Sequence, residues 1–209
     1  MGKRKPTVFV VDDNAGMRKS LTAMVGGMQL QVECFTSGED FLSALDDSWS
    51  GCLVVNEKLP GMSGLELQDK LIAQDAPLPL IFITGCGDVW RAVEDVKKGA
   101  VDFLEIPYRP GHLRDCIRRA IELDASRRRE QARRSAVDAR LAELTLDERA
   151  VLEQILAGAT SKEIASHMDI SLRTVQLRRA SLMKKLRVDS RAALFALAVS
   201  FRRPSKGPS

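Results

Sequence analysis

Short apolar runs bounded by turn-forming residues alternate with helix-like stretches from the start of the chain to about Leu123. TVFVV (7–11), QVECF (31–35), CLVV (52–55), LPLIFIT (78–84) and VDFL (101–104) have the length and composition of strands. Between them the pattern predicts helices ending near Met28, from about Glu39 to Leu45, around Leu65–Ala73, over roughly Val89–Lys98 and starting near Gly111. Strands alternating with helices in this way predict an α/β domain, a parallel sheet covered on both faces. Right-handed crossovers leave the flavodoxin-like order 2-1-3-4-5 as the natural topology. Its switch point lies between the first and third strands, where Asp12, Asp13 and Asn56 would meet.

The pattern then changes. Residues 113–144 carry no Gly or Pro and read as one long helix, with basic clusters at Arg127–Arg129 and Arg133–Arg134. A solvated linker helix is one reading. A dimeric coiled coil is the other, although Ile117, Ala120, Ile121, Ala125, Ala132, Ala136 and Leu141 make a broken seam poor in large residues. Beyond it only helices are predicted. Thr145–Glu148 is a capping box opening a helix that Gly158 closes, and Thr160–Glu163 opens a second that runs to about Met168. Ser171 caps a third, whose Val175, Leu182 and Leu186 mark a buried face. The tight MDIS link makes helices two and three a helix-turn-helix. Ser190 caps a fourth, AALFALAVSF, suited to packing or dimerisation. The expected boundaries are 1–123 for the α/β domain, 124–143 for the helical linker, 144–201 for the all-α four-helix domain and 202–209 for a flexible basic tail.

Charge sharpens this division. The formal net charge is +4 with 32 Lys+Arg and 28 Asp+Glu. Residues 1–123 hold 14 basic and 18 acidic side chains, leaving 18 and 10 for residues 124–209. Only the rear half is built to meet a polyanion. No apolar run approaches the roughly 20 residues that span a bilayer, so no membrane association is expected. Four scattered cysteines with no C-x-x-C pair suit a reducing, cytoplasmic setting and argue against a disulfide framework or zinc site.

Adjacent carboxylates at a strand end are either loop acids or ligands for a hard cation such as Mg²⁺. The rest of the rim favours the second. VVDDNAGMRKSL, LVVNEKLPGMSG, IFITGCGDV and GAVDFLEIPY resemble, in order and spacing, the receiver domain of a two-component response regulator. The resemblance implies that Asp12 and Asp13 correspond to the Mg²⁺-binding acids. Thr84 would be the hydroxyl that moves to the phosphoryl group, and Phe103 the aromatic that follows it. It also implies a cis Ile106–Pro107 bond. Two positions depart: Asn56 stands where the acceptor Asp belongs and Ile106 where the phosphate-pairing Lys belongs. A neutral carboxamide cannot act as the anionic nucleophile of an acyl phosphate. Isoleucine offers no charge and would put an apolar group in the pocket. The expectation is a receiver regulated without phosphorylation, with no cofactor required and at best weak Mg²⁺ binding at Asp12 and Asp13. Strand alternation turns Glu57 away from the side of Asn56, so it makes a poor substitute acceptor. Cys86, two residues past Thr84, is a candidate rim thiol.

On the third rear helix, Arg173, Thr174, Gln176, Leu177 and Ala180 fall opposite the core, with Arg178, Arg179, Lys184 and Lys185 around them. A helix of this kind fits the major groove, its early residues reaching base edges and its basic flanks reaching phosphates. The stretch from Leu144 to about 200 resembles the LuxR/NarL/FixJ DNA-binding domain, which implies a phosphate contact for Lys162. The whole therefore resembles an atypical FixJ-type response regulator: a transcriptional regulator and not an enzyme, binding double-stranded DNA as a homodimer, with a histidine kinase or another regulatory protein as further partner. An adaptor that titrates a kinase or regulator, with DNA contact incidental, is the alternative.

Overall fold

The computed structural model describes residues 5–46, 48–74, 76, 78–85 and 100–202, the last four by backbone alone. The chain separates into two compact units, one reaching Arg129 and the other starting at Glu130.

In the first unit a parallel sheet of five strands has the order β2-β1-β3-β4-β5. The strands are β1 Thr7–Val11, β2 Gln31–Phe35, β3 Gly51–Asn56, β4 Leu80–Thr84 and β5 Asp102–Glu105. Helices α1 Ala15–Gly26, α2 Gly38–Ala44, α3 Gly64–Ala73 and α4 Pro110–Ala142 accompany them. The helix expected over Val89–Lys98, and Cys86, lie outside the described residues.

Because successive strand side chains point to opposite faces, the sheet sorts its apolar residues into two cores. Phe9, Val11, Leu53, Val55, Leu80 and Phe82 face one side, with Leu67 and Leu71 of α3 packed on them. Val8, Val10, Cys52, Val54, Ile81 and Ile83 face the other, under Leu21 and Val25 of α1 and Leu113, Cys116, Ile117 and Ala120 of α4. Burial on both faces is what makes β1, β3 and β4 almost purely apolar. Ile117 and Ala120, two members of the conceivable coiled-coil seam, are consumed by this core.

Two close approaches fix the ends of β3. Gly51, with φ +130°, sits opposite Thr7 in the β1–β3 register. At the other end Gly64 opens α3 so near the chain that an added Cβ would lie 2.7 Å from the Asn56 carbonyl. The Gly64 N–H donates to the Glu57 carbonyl at 2.9 Å, and Ser63 and Glu66 cap α3 reciprocally.

Helix α4 does not leave the first unit at residue 123. Asp124 is buried, accepts from the Gly51 N–H at 2.9 Å and pairs with Arg128 Nε at 2.9 Å. Arg128 also donates to the Trp49 carbonyl. Trp49 itself stacks on Phe9, ring centroids 4.2 Å apart. The first residues of the expected linker are thus part of the receiver's packing.

The second unit holds the end of α4 with α5 Leu146–Leu156, α6 Ser161–His167, α7 Leu172–Leu186 and α8 Arg191–Arg202. Both expected capping boxes are formed, at Thr145/Glu148 and Thr160/Glu163. Val175, Leu182 and Leu186 are fully buried, in one core with Val151, Ile155, Ile164 and Leu194. Of the basic tail, Arg202 still belongs to α8, and residues 203–209 lie outside the described part.

Candidate functional sites: an acidic pocket and a groove-reading helix

The end of β1 delivers Asp12 and Asp13, and the end of β3 delivers Asn56. Asp12 is buried, and its Oδ1 accepts from the Asn14 N–H at 2.8 Å. Burial, reinforced by the neighbouring Asp13 charge, raises the Asp12 pKa above the ordinary 3.8, against the opposing pull of the Asn14 N–H and of Arg18. Arg18, whose guanidinium donates to the Asp12 carbonyl at 2.7 Å, is a counter-charge that sequence reading missed. Its i+6 position from Asp12, one turn into α1, was the available signal.

Asn56 presents its amide nitrogen to Asp13 Oδ1 in a long hydrogen bond of 3.4 Å, while its Oδ1 accepts from the Lys58 N–H at 3.1 Å. The oxygen a metal would need is therefore turned to the backbone. Asp12 and Asp13 retain carboxylate oxygens that fit a hard cation, but Asn56 adds no charge to them, and its oxygen is already engaged by the Lys58 N–H. Ile106 is 36% exposed, and its N–H donates to the Thr84 carbonyl at 2.8 Å. It is thus partly open to solvent at the end of β5. The Ile106–Pro107 bond is cis.

Thr84, at the end of β4, is buried, and so is Glu57. The Thr84 hydroxyl donates to Glu57 Oε2 at 2.5 Å. Phe103 packs against the core on the Phe82 side of the sheet, centroid to centroid 6.0 Å. Glu57 does face away from Asn56's partners, as alternation requires, but the side it faces holds Thr84.

One other cluster has the look of a metal centre. Asp102, His112 and Cys116 bring one donor atom each within 4.8 Å of one another. Arg119 already places a cation there, 2.5 Å from Asp102 Oδ2 and 3.3 Å from Cys116 Sγ. Burial and the Asp102 carboxylate push the Cys116 thiol up to about 11, far from thiolate character. The cluster is a polar clasp between the start of β5 and α4.

In the second unit the exposed residues of α7 include Arg173, Gln176, Leu177, Ala180 and Lys184. These recur at helical spacing and form one stripe opposite Val175, Leu182 and Leu186. Leu177 is 64% exposed, an apolar side chain offered to solvent in the middle of the stripe. Thr174 is half-buried and shares a 2.8 Å hydrogen bond with Ser171, its N–H capped by the same serine. Lys162 is exposed at the start of α6.

The other basic side chains of α7 are tied down. Arg178 pairs with Asp147 at 2.5 Å and Arg179 donates to Ser161 Oγ at 2.6 Å. Lys185 donates to Glu148 Oε2 at 2.6 Å and to the Glu143 carbonyl, while Ser181 donates to Glu148 Oε1. Lys185 thus works inside the unit, tying α7 to the start of α5. Its ammonium, then Ser181 and the Thr145 N–H, hold the buried Glu148 carboxyl down at about 2 from the usual 4.5. A folded-state value below the unfolded one stabilises the unit at pH above 4.5. That contribution is lost as pH falls from 4.5 towards 2. Glu148→Gln is expected to cost about 2 kcal/mol at pH 7, the scale of hydrogen bonds to a charged group, and to flatten this acid limb. Urea melts from pH 7 to pH 3 check both.

A doubly wound sheet with an acidic pocket at its switch point, joined by a helix to a helix-turn-helix with an exposed polar stripe, defines a class: regulators pairing a signal-input domain with a DNA reader. Comparison with known proteins agrees. Residues 8–118 match the response regulator receiver domain, and residues 142–198 match the bacterial regulatory proteins of the LuxR family. The chain is 38% identical over 195 residues to the transcriptional regulatory protein FixJ of Bradyrhizobium diazoefficiens, covering 93% of this chain and 95% of that protein. With the transcriptional regulatory protein TdiR of Thauera aromatica it shares 39% identity over 184 residues, 88% and 81% of the two chains. The solved structure of the response regulator StyR is similar with a TM-score of 0.86 at 36% identity, covering 93% of this chain and 98% of that one. The chain belongs to the two-component response regulators with a LuxR-type DNA-binding domain, a family of transcription regulators. Receiver domains bind Mg²⁺ at their phosphorylation site. Among the described residues no helix is long and apolar enough to cross a membrane.

Proposed function

We propose that this regulator binds DNA without being switched by phosphorylation of its receiver. The observation that carries this is Asn56: a carboxamide at the acceptor position, bonded to Asp13 and to the Lys58 N–H, with isoleucine in place of the pairing lysine. An amide has no anionic oxygen with which to attack a phosphoryl donor. Mg²⁺ at Asp12 and Asp13 is weak, because the third ligand position offers an N–H.

The DNA reader is the α7 stripe. Arg173, Gln176, Leu177 and Ala180 meet base edges, glutamine pairing with adenine and the apolar pair suiting a thymine methyl. Thr174 flanks them, held by Ser171. Lys162 and Lys184 meet phosphates, giving salt-dependent affinity. Arg178 and Arg179 brace the reader against α5 and α6 while staying near the same backbone. Two copies bind paired half-sites, with the receiver ending after Arg129 and the DNA-binding unit beginning near Leu144. A kinase or another regulator remains the natural partner of the receiver surface.

The test uses the full chain and a duplex selected by it from a random-sequence pool. Acetyl phosphate with Mg²⁺ leaves intact mass and footprint unchanged. Lys184→Ala weakens binding to every sequence, by about 1 kcal/mol at moderate salt, whereas Gln176→Ala changes which sequences are selected. A phosphoryl adduct on the unaltered protein overturns the reading.

A further inference from the structure

We propose that Glu57 is a built-in anionic partner for Thr84, a carboxylate supplied by the chain itself that holds this hydroxyl in one orientation whatever occupies position 56. Glu57 is 3% exposed and Thr84 2%, and their oxygens are 2.5 Å apart. That separation is typical of a charge-assisted O–H···O⁻ bond. The hydroxyl has one proton, and its other neighbour, the Gly85 carbonyl, is neutral and farther away at 3.2 Å. The hydroxyl therefore donates to the Glu57 carboxylate oxygen.

Three features make the pair more than a chance contact. First, Glu57 stands on the side of the sheet lined by Val55 and Phe82, where the pattern of β3 and β4 calls for an apolar residue. Among the described residues no cation pairs with it, and Thr84 Oγ1 is its side-chain partner. A carboxylate placed there is costly unless hydrogen-bonded, and a local rule broken inside a well-packed core marks a working position. Second, the backbone of Glu57 is pinned from both sides. Its N–H donates to the Ile83 carbonyl at 3.0 Å and its carbonyl accepts from the Gly64 N–H at 2.9 Å. The missing Cβ of Gly64 is what lets α3 come that close. The backbone that carries the acceptor is therefore held in place. Third, the Asn56 side chain is engaged elsewhere, with Asp13 and Lys58.

Glu57 acts as a positioning residue through Thr84. The inference rests on the reading that this receiver takes no phosphoryl group, and adds what sets its conformation instead. The experiment uses the full chain with 13C-methyl threonine and the duplex selected from the random-sequence pool. Glu57→Leu shifts or splits the Thr84 methyl resonance and changes duplex affinity about tenfold, the scale of one hydrogen bond to a charged group. Thr84→Val changes affinity by the same factor in the same direction, and the double variant goes no further, because one interaction has been removed twice. Glu57→Gln keeps an acceptor oxygen but loses the charge, and moves affinity part of the way in the same direction. If Glu57→Leu fails to fold, the Glu57→Gln and Thr84→Val pair carries the comparison. An unmoved Thr84 methyl, or effects of Glu57 and Thr84 that add independently, overturns the proposal. A phosphoryl adduct on the unaltered protein strikes the functional reading alone, since the mutant cycle is run without a phosphoryl donor.

Discussion

Gly51→Ala unfolds the first unit. Gly51 holds φ at +130°, a region that L side chains rarely adopt, and its added Cβ would lie 1.9 Å from the Thr7 carbonyl oxygen and 2.7 Å from the Thr7 nitrogen. Those atoms are backbone at the first rung of the β1–β3 ladder, so no rotamer change relieves the clash. Pushing the strands apart also strains the Gly51 N–H to Asp124 and the Thr7 N–H to the Ser50 carbonyl, both 2.9 Å. The expected cost exceeds about 4 kcal/mol, the exceptional end of single substitutions, against a total of about 5–15 kcal/mol for a domain. In urea melts followed by near-UV circular dichroism, the transition carrying the Trp49–Phe9 stack disappears or moves to very low denaturant. The second unit's helices melt as before. Gly111→Ala is the control: its Cβ meets nothing within 4 Å, and the substitution is neutral or slightly stabilising.

What could be read in advance follows from how local each signal is. The strands β1, β3 and β4 are apolar because both faces are covered, and a run of four or five such residues shows that directly. The helix caps of the second unit are equally local, each needing only a hydroxyl and a carboxylate three residues apart. The pairing of Asp124 with Gly51 spans 73 residues, and nothing in either segment names the other. Trp49 was invisible as a core residue because it sits alone in a connection and gains its burial from Phe9, Phe35 and Phe41. Strand period told which way Glu57 faces but could not say that Thr84 waits there. Lys185 is the instructive intermediate: three residues past Leu182, it lies beside the buried stripe of α7. The period places it there, and the structure bonds its ammonium to Glu148.

Replacing Asn56 by Asp and Ile106 by Lys together is expected to create phosphoryl transfer at position 56. The aspartate supplies the missing anionic oxygen. It also sets a third carboxylate beside Asp12 and Asp13, where burial and the Asp13 charge already raise the Asp12 pKa. Asn56→Asp alone is therefore destabilised without Mg²⁺ and recovers when Mg²⁺ is added. Lysine at 106 costs little, because that side chain is 36% exposed and its ammonium keeps water while reaching the new carboxylate. With acetyl phosphate and Mg²⁺, intact mass should show no adduct on the natural chain, a slow one on Asn56→Asp and the fastest on the double variant. The adduct then meets a competitor. Thr84 already has a carboxylate at 2.5 Å, and a phosphoryl group must draw the hydroxyl away from Glu57 before the rest of the receiver can respond. Phosphorylation of the double variant should therefore leave duplex affinity nearly unmoved, and adding Glu57→Leu should make affinity follow the adduct. Affinity that tracks phosphorylation with Glu57 intact would show that the chain's own carboxylate holds nothing.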